Sequence, residues 1–282
     1  MTIRIVTDST CDIPLEVAAE LGITVIPDYI NVGEQSYLDG VDLTRREFYQ
    51  RLGEWPVPPT TAAPGVEAFC KVYDQLAAEG ASQVLSLHIH ERLSNLSNVA
   101  RLAAETTHSV AVKVVTGGFL SLGGGFIISG AARAALAGKS VDEILQVVQD
   151  LSHRTYIFAA LDTLEYLRRS GRVSNLVARL GSWIHILPVL KVHLEVIDMD
   201  LVRTRARGMA RVIRLIEDLG PLEQLGIIHS NAPEKAQEIR RQASHLFSPG
   251  KEPWVVDITP VIGSHVGPGA VGLAAVQGAN PS

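Results

Sequence analysis

The chain is short of cysteine, of aromatic residues and of long apolar runs. Its two cysteines, Cys11 and Cys70, supply neither a disulfide framework nor a CxxC metal pair, so both read as small buried apolar residues. No window approaches about 18 uninterrupted apolar residues. The most apolar stretch, Val110 to Leu136, is interrupted by Lys113, Arg133 and a group of glycines, and no membrane span is expected. The opening MTIRIVTDSTCDIP places Arg4 inside its apolar run and Asp8 directly after it, which is not the pattern of a secretory signal. A cytoplasmic location is expected. Excess basic charge is missing as well: 25 Lys and Arg stand against 30 Asp and Glu. That balance offers nucleic acid no general attraction, and any basic site must be local. There is no G-x-G-x-x-G after a strand, no P-loop lysine and no G-x-S-x-G nucleophile elbow. His88 and His90 stand two apart with no obvious third ligand, so neither a metal nor a cofactor is expected.

What remains is the composition of a chain that folds around a core, with 46% apolar and 20% charged residues. A length of 282 residues favours two domains over one, because single cores stop growing at roughly 250–300 residues. The first half alternates strands with helices, which argues for a parallel sheet covered by helices. Ile3 to Thr7, Ile23 to Ile26, Gln83 to His88 and Val110 to Val115 read as strands. Helices are expected at Thr44 to Leu52, which opens with a capping box, at Gly65 to Ala78, at Leu93 to Thr107 and at Ser121 to Ala137. The segment Pro56 to Pro64 reads as a proline-rich loop. After Gly138 the texture changes. A strand Thr155 to Ala160, a charged helix near Leu164 to Arg169, and a hairpin over Leu194 to Arg205 turning at Asp198 to Asp200 suggest an α+β half. The expected fold is therefore α/β: a Rossmann-like parallel-sheet domain over residues 1–150 and an α+β domain over 151–282.

Four segments rich in glycine or hydroxyls sit where strands end, the place where open α/β sheets bind ligands. Thr7-Asp8-Ser9-Thr10 follows the first strand. Thr60 and Thr61 project hydroxyls from a loop stiffened by prolines. Ser94 lies at a helix start, where free amides and the helix dipole favour an anion. Most distinctive is Gly263-Ser264-His265-Val266-Gly267-Pro268-Gly269-Ala270-Val271-Gly272, whose glycines let the main chain approach a ligand beside a hydroxyl and an imidazole. Each segment also has a plain structural reading, as a cap or a turn.

Taken in order, VTDSTCDIP, VIPDYINVGEQSYLDGVDLTRREFYQRL, LEYLRRSGRVS and IGSHVGPGAVGL resemble the DegV family of bacterial fatty-acid-binding proteins over nearly the whole chain. The resemblance implies two α/β domains, a buried long-chain fatty acid such as palmitate, and a fatty acid kinase partner that phosphorylates the bound carboxylate to an acyl phosphate. It implies no catalytic step by the carrier itself. The family's TSQPS loop falls on Thr61, Ala62, Ala63, Pro64 and Gly65, keeping the carboxylate-binding hydroxyl of Thr61. Its LSGTYQSA segment falls on Leu93 to Ala100 and keeps Ser94, and its histidine turn falls on His265 with Ser264 in place of threonine. The resemblance thus nominates Thr61, Ser94, Ser264 and His265 for the carboxylate.

For the tail, apolar positions near the seam between the halves are expected to serve: Phe119, Ile127, Phe158, Ile184 and Ile186, with Ile157 and Leu190 beside them. Arg203, Arg205 and Arg207 recur with period two and share a face if the strand continues that far. With Arg168, Arg169 and Arg172 they read either as solvated surface or as a docking patch for a kinase or, transiently, for anionic lipid. The competing function is an acyl hydrolase with Ser94 or Ser264 as nucleophile and His265 as base.

Overall fold

The computed structural model describes residues 2–173, 186–248, 250 and 252–279, which build three sheets. Numbering strands in chain order, β1 (Ile3–Asp8), β2 (Thr24–Ile26), β6 (Gln83–Ile89) and β7 (Ala111–Gly117) form a wholly parallel sheet in the order β2-β1-β6-β7. Its central strands are buried on both faces, so β6 reads as an apolar run rather than an alternation. One face carries Val6 and Val84 against Phe69, Tyr73 and Ala100 of the helices Val66–Ala78 and Leu96–Thr106. The other carries Ile5, Leu85 and Leu87 toward the helix Ser121–Leu136.

A small antiparallel sheet, β4-β3-β5, joins β3 (Tyr29–Val32), β4 (Gln35–Leu38) and β5 (Thr60–Ala62). The proline-rich segment read as a loop therefore contains a strand. Proline cannot donate to a ladder, but the prolines flank Thr60–Ala62, and these three residues pair with Asn31, Ile30 and Tyr29.

The third sheet comprises β8 (Thr155–Ala160), β9 (Leu187–His193), β10 (Val196–Val202), β11 (Leu222–His229), β12 (Val255–Asp257) and β13 (Val271–Gln277), ordered β10-β9-β8-β13-β11-β12. Only β11 and β12 are parallel neighbours. Helices Arg205–Glu217 and Pro233–Gln242 cover its outer face through Val212, Ile216 and Ile239. Ile157, Leu190 and Ala274 on the inner face join the same apolar core as Ile5 and Leu87.

Two expectations in this half are corrected. The β9–β10 hairpin turns at Leu194 and Glu195, with Leu194 at φ +53°, and not at Asp198 to Asp200. Both aspartates lie within β10, where Lys191 pairs with Asp198 and Asp200 at 2.8 Å each. The strand also ends at Val202. Thr204 caps the next helix by accepting from the Arg207 amide, so Arg205 and Arg207 are helical and share no period-two face with Arg203.

The helix Ser121–Leu136 is thus sandwiched between the parallel and the six-stranded sheet, and its glycines set how closely they approach. A Cβ at Gly123 would stand 2.9 Å from the Ile157 side chain, and one at Gly125 would stand 2.9 Å from the Cys11 carbonyl oxygen. The second neighbour is backbone and cannot rotate away. Valine gains little helix propensity over glycine, whereas overpacking costs about 1–3 kcal/mol. Gly125→Val is expected to lower unfolding stability by ~1–3 kcal/mol, read as a shifted urea midpoint at unchanged slope.

Candidate ligand-binding site

The carboxyl ends of β1 and β6 open toward the seam between the sheets. After β1, Asp8 accepts from the Thr10 amide at 2.9 Å and from its hydroxyl at 2.5 Å, folding Ser9–Cys11 into a tight turn. After β6, Ser94 accepts from the Leu96 amide at 3.4 Å where the next helix starts. From the far end of the chain, Pro260 opens the helix Pro260–Val266, which carries His265. The glycines behind it are needed by the backbone. Gly267 sits at φ +75°, and a Cβ there would fall 2.3 Å from the Tyr166 ring. Ser230 donates to the Gly267 carbonyl at 2.7 Å, tying this turn to the end of β11.

These elements enclose a cavity of about 290 Å³, at the lower end of the size range of small-molecule sites. Its polar lining is Thr10, Asp28, Thr61, Ser94, Asn95, Ser170, Arg172 and His265. Thr61 Oγ1 and His265 Nε2 lie 3.1 Å apart. Burial, reinforced by the charge of Arg172, holds the His265 imidazole down at about 4, so at neutral pH it is uncharged. Its Nδ1 is buried with no hydrogen-bond partner among the described residues. Apolar walls continue inward. Leu120, Leu190, Val192, Ile262 and Val266 line both this cavity and a second, smaller one of about 60 Å³, whose surface is almost wholly apolar. One recess therefore has a polar end and a greasy end, which suits an amphipathic molecule.

Of the residues nominated from sequence, Thr61, Ser94 and His265 meet in this cavity. Ser264 does not line it; its hydroxyl donates back to the Pro260 carbonyl at 2.8 Å within its own helix. Phe119 and Ile127 are buried in the core beside the parallel sheet. Phe158 packs with Val212 and Ile213 on the outer face of the six-stranded sheet, because strand alternation turns it away from Ile157, which does line the inner cavity. Ile186 is half-buried just before β9, and Ile184 lies outside the described residues. Leu190 lines both cavities. Sequence reasoning missed Asp28 as a lining residue, since an aspartate after a proline reads as turn chemistry. It also left Arg172 among surface charges, although its position next to Val173 in LEYLRRSGRVS was in view.

A hydroxyl, an imidazole and a carboxylate also line up elsewhere. Asp8 Oδ2 stands 2.7 Å from His88 Nδ1, and His88 Nε2 stands 2.7 Å from Ser86 Oγ, which meets the Tyr73 hydroxyl at 2.8 Å. Ser86 and His88 are wholly buried and Asp8 is 1% exposed. No substrate reaches them, and the chain of bonds ties the parallel sheet to the helix Val66–Ala78. Among the described residues no group of His, Cys, Asp and Glu is placed to hold a metal, and no helix is long and apolar enough to cross a membrane.

Comparison with known proteins agrees along the whole length. Residues 2–278 match the family of uncharacterised proteins named DegV. A DegV domain-containing protein of Streptomyces coelicolor is 31% identical over 274 residues, covering 96% of this chain and 97% of the relative. One from Deinococcus radiodurans is 34% identical over 281 residues, covering 97% and 98%. Among solved structures, a fatty-acid-binding DegV family protein of Thermus thermophilus superposes with a TM-score of 0.87 at 30% identity, covering 98% of this chain and 100% of its own. DegV of Bacillus subtilis, a fatty acid binding protein, gives 0.88 at 27% identity, covering 99% and 100%. The chain belongs to the DegV family.

Proposed function

We propose that this protein binds a long-chain fatty acid such as palmitate and presents its carboxylate to a fatty acid kinase, supplying no catalytic step of its own. The observation that carries this reading is the two-ended recess: Thr61, Ser94 and His265 gather at one end, and the walls running inward from them are apolar. The fatty-acid-binding relatives of Thermus thermophilus and Bacillus subtilis support it. Energetically the tail drives binding. Fourteen or so methylenes at ~0.8 kcal/mol each give a gross gain on the order of 11 kcal/mol, from which lost ligand freedom and carboxylate desolvation subtract. The head is held by uncharged groups, since His265 is neutral and Thr61 and Ser94 are hydroxyls. Such a site solvates the carboxylate without clamping it in a buried ion pair, which leaves an oxygen free to attack a phosphoryl group.

The hydrolase alternative fits less well. His265 bonds Thr61, and neither Ser94 nor Ser264 bonds it; among the described residues its Nδ1 has no carboxylate to orient it. A base without an orienting partner, and bonded to neither serine nominated as nucleophile, lacks the triad arrangement.

Three outcomes are expected. Purified protein extracted with organic solvent yields a fatty acid by mass spectrometry, and Thr61→Ala or His265→Ala weakens its retention by ~10-fold or more, the worth of one hydrogen bond to a charged group. Ser264→Ala leaves retention unchanged, and unchanged retention in all three variants would remove the head-group assignment. Leu190→Trp, which fills the passage shared by the two cavities, shifts the extracted acids toward shorter chains. Reversing charge at Arg203 and Arg205 lowers acyl-phosphate formation by the cognate kinase while leaving fatty-acid retention intact; equal rates would place kinase docking elsewhere.

A further inference from the structure

We propose that Asp28 is a further ligand-binding residue, a carboxylic acid that donates a hydrogen bond to the carboxylate of the bound fatty acid. The proposal rests on the fatty-acid reading above and deepens it. Asp28 is 2% exposed and lines the cavity at its polar end. Its Oδ2 accepts from the Ser9 hydroxyl at 3.1 Å, and the Asp28 amide donates to Ser9 Oγ at 3.2 Å, which fixes the side chain. Among the described residues Oδ1 has no hydrogen-bond partner. It is also not among the fully enclosed orphan atoms, so the only surface it can reach is the cavity it lines.

Register places this oxygen near the head group. In the β3–β5 pair Ile30 faces Thr61 and Tyr29 faces Ala62, so one step further Asp28 faces Ala63. Alternation puts Asp28 on the same face as Thr61, as its diagonal neighbour, at a spacing of roughly 7–8 Å that a carboxylate between them bridges.

The surroundings decide the protonation state. Asp8 approaches from the end of β1, Asp39 from the segment after β4, and Asp12 lies beyond the β1 turn; these three are buried, and Asp8 already bonds His88. Arg45 acts on Asp12 and Asp39. Arg172, exposed at the mouth, and neutral His265 complete the set. No lysine or arginine bonds Asp28 among the described residues. Burial first, and the Asp8 charge second, push its carboxyl well above the ordinary range. A second carboxylate arriving from the ligand acts in the same direction, so the pair shares one proton instead of carrying two charges.

The sign follows. The acid form donates below its folded pKa, and as pH rises through that value a second negative charge appears beside the ligand and binding weakens. Palmitate affinity is measured from pH 6 to 9 for wild type, Asp28→Asn and Asp28→Ala. Wild type should lose affinity toward the alkaline end. Asp28→Asn, whose amide donates at every pH and whose oxygen still accepts from Ser9, should bind within a few-fold of wild type at pH 6 and show a flat profile. Asp28→Ala should bind ~10-fold or more weakly at pH 6; should it fail to fold, the asparagine variant carries the test. Alanine binding as tightly as wild type, or asparagine keeping the wild-type profile, overturns the role of Asp28 alone. A wild type that takes up no fatty acid at any pH overturns the fatty-acid reading, and this role with it.

Discussion

Thr61 and His265 stand 204 residues apart in sequence and 3.1 Å apart in space, and the ligand cavity depends on that contact. Thr61 belongs to the small sheet beside the parallel sheet, while His265 rides on the short helix that leads into the central strand of the six-stranded sheet. Joining them brings the carboxyl ends of β1 and β6 against the inner face of the second sheet. The space left between becomes a recess with polar groups on one side and strand side chains on the other. The glycine-rich helix Ser121–Leu136 makes this approach feasible, since bulk at Gly123 or Gly125 would push one sheet away.

The same seam carries an uncommon load of buried acids. Asp8, Asp12, Asp28 and Asp39 are each at most 5% exposed, and none is neutralised by a hydrogen-bonded lysine or arginine among the described residues. Each is handled differently. Asp8 bonds His88 and the Thr10 turn. Asp12 accepts from the Ser121 hydroxyl at 2.6 Å and the Thr259 amide at 2.7 Å, linking the glycine-rich helix to the His265 helix. Burial raises Asp39 to about 7 and leaves its Oδ2 without a partner. Unpaired charge in a dry interior is expensive, so protonation is the cheaper state for the acids that lack donors. Of these four, Asp28 alone lines the cavity among the described residues, and burial favours its uncharged form.

Much of the fold was legible because its signals are periodic and local. The strands of the parallel sheet are short runs rich in apolar residues, and Thr44 begins a helix with a complete capping box. Unusual composition singled out the segments of Thr61, Ser94 and His265, and the family resemblance nominated them for a carboxylate. The failures have physical causes too. β5 is three residues long between prolines, and its pairing with β3 is a tertiary fact that no local pattern announces. The β9–β10 turn was misplaced because Asp198 and Asp200 look like turn residues, whereas Lys191 on the facing strand gives both a partner. Tail-lining positions were the least legible. Ile157 and Phe158 are equally apolar neighbours, and only the direction of the strand's pleat decides that one faces the cavity and the other the outer helices.

The distribution of charge around the recess separates capture from storage. The cation lining the cavity, Arg172, is exposed and bonds the Ser170 carbonyl at 2.7 Å. There, under the proposed role, it is placed to attract a carboxylate from water, where screening limits its hold. Deeper in, Thr61, Ser94 and His265 are neutral. A buried arginine in their place would bind more tightly at first sight, but it would need its own desolvation repaid, and under the proposed carrier role it would draw electron density from the ligand oxygen. Under the proposed role, apolar burial supplies the affinity and uncharged donors the orientation, so that the head stays reactive while the tail stays dry. Shape alone therefore does not define this site: the polarity of a few groups at its mouth and neck decides whether it stores an acid or merely traps it.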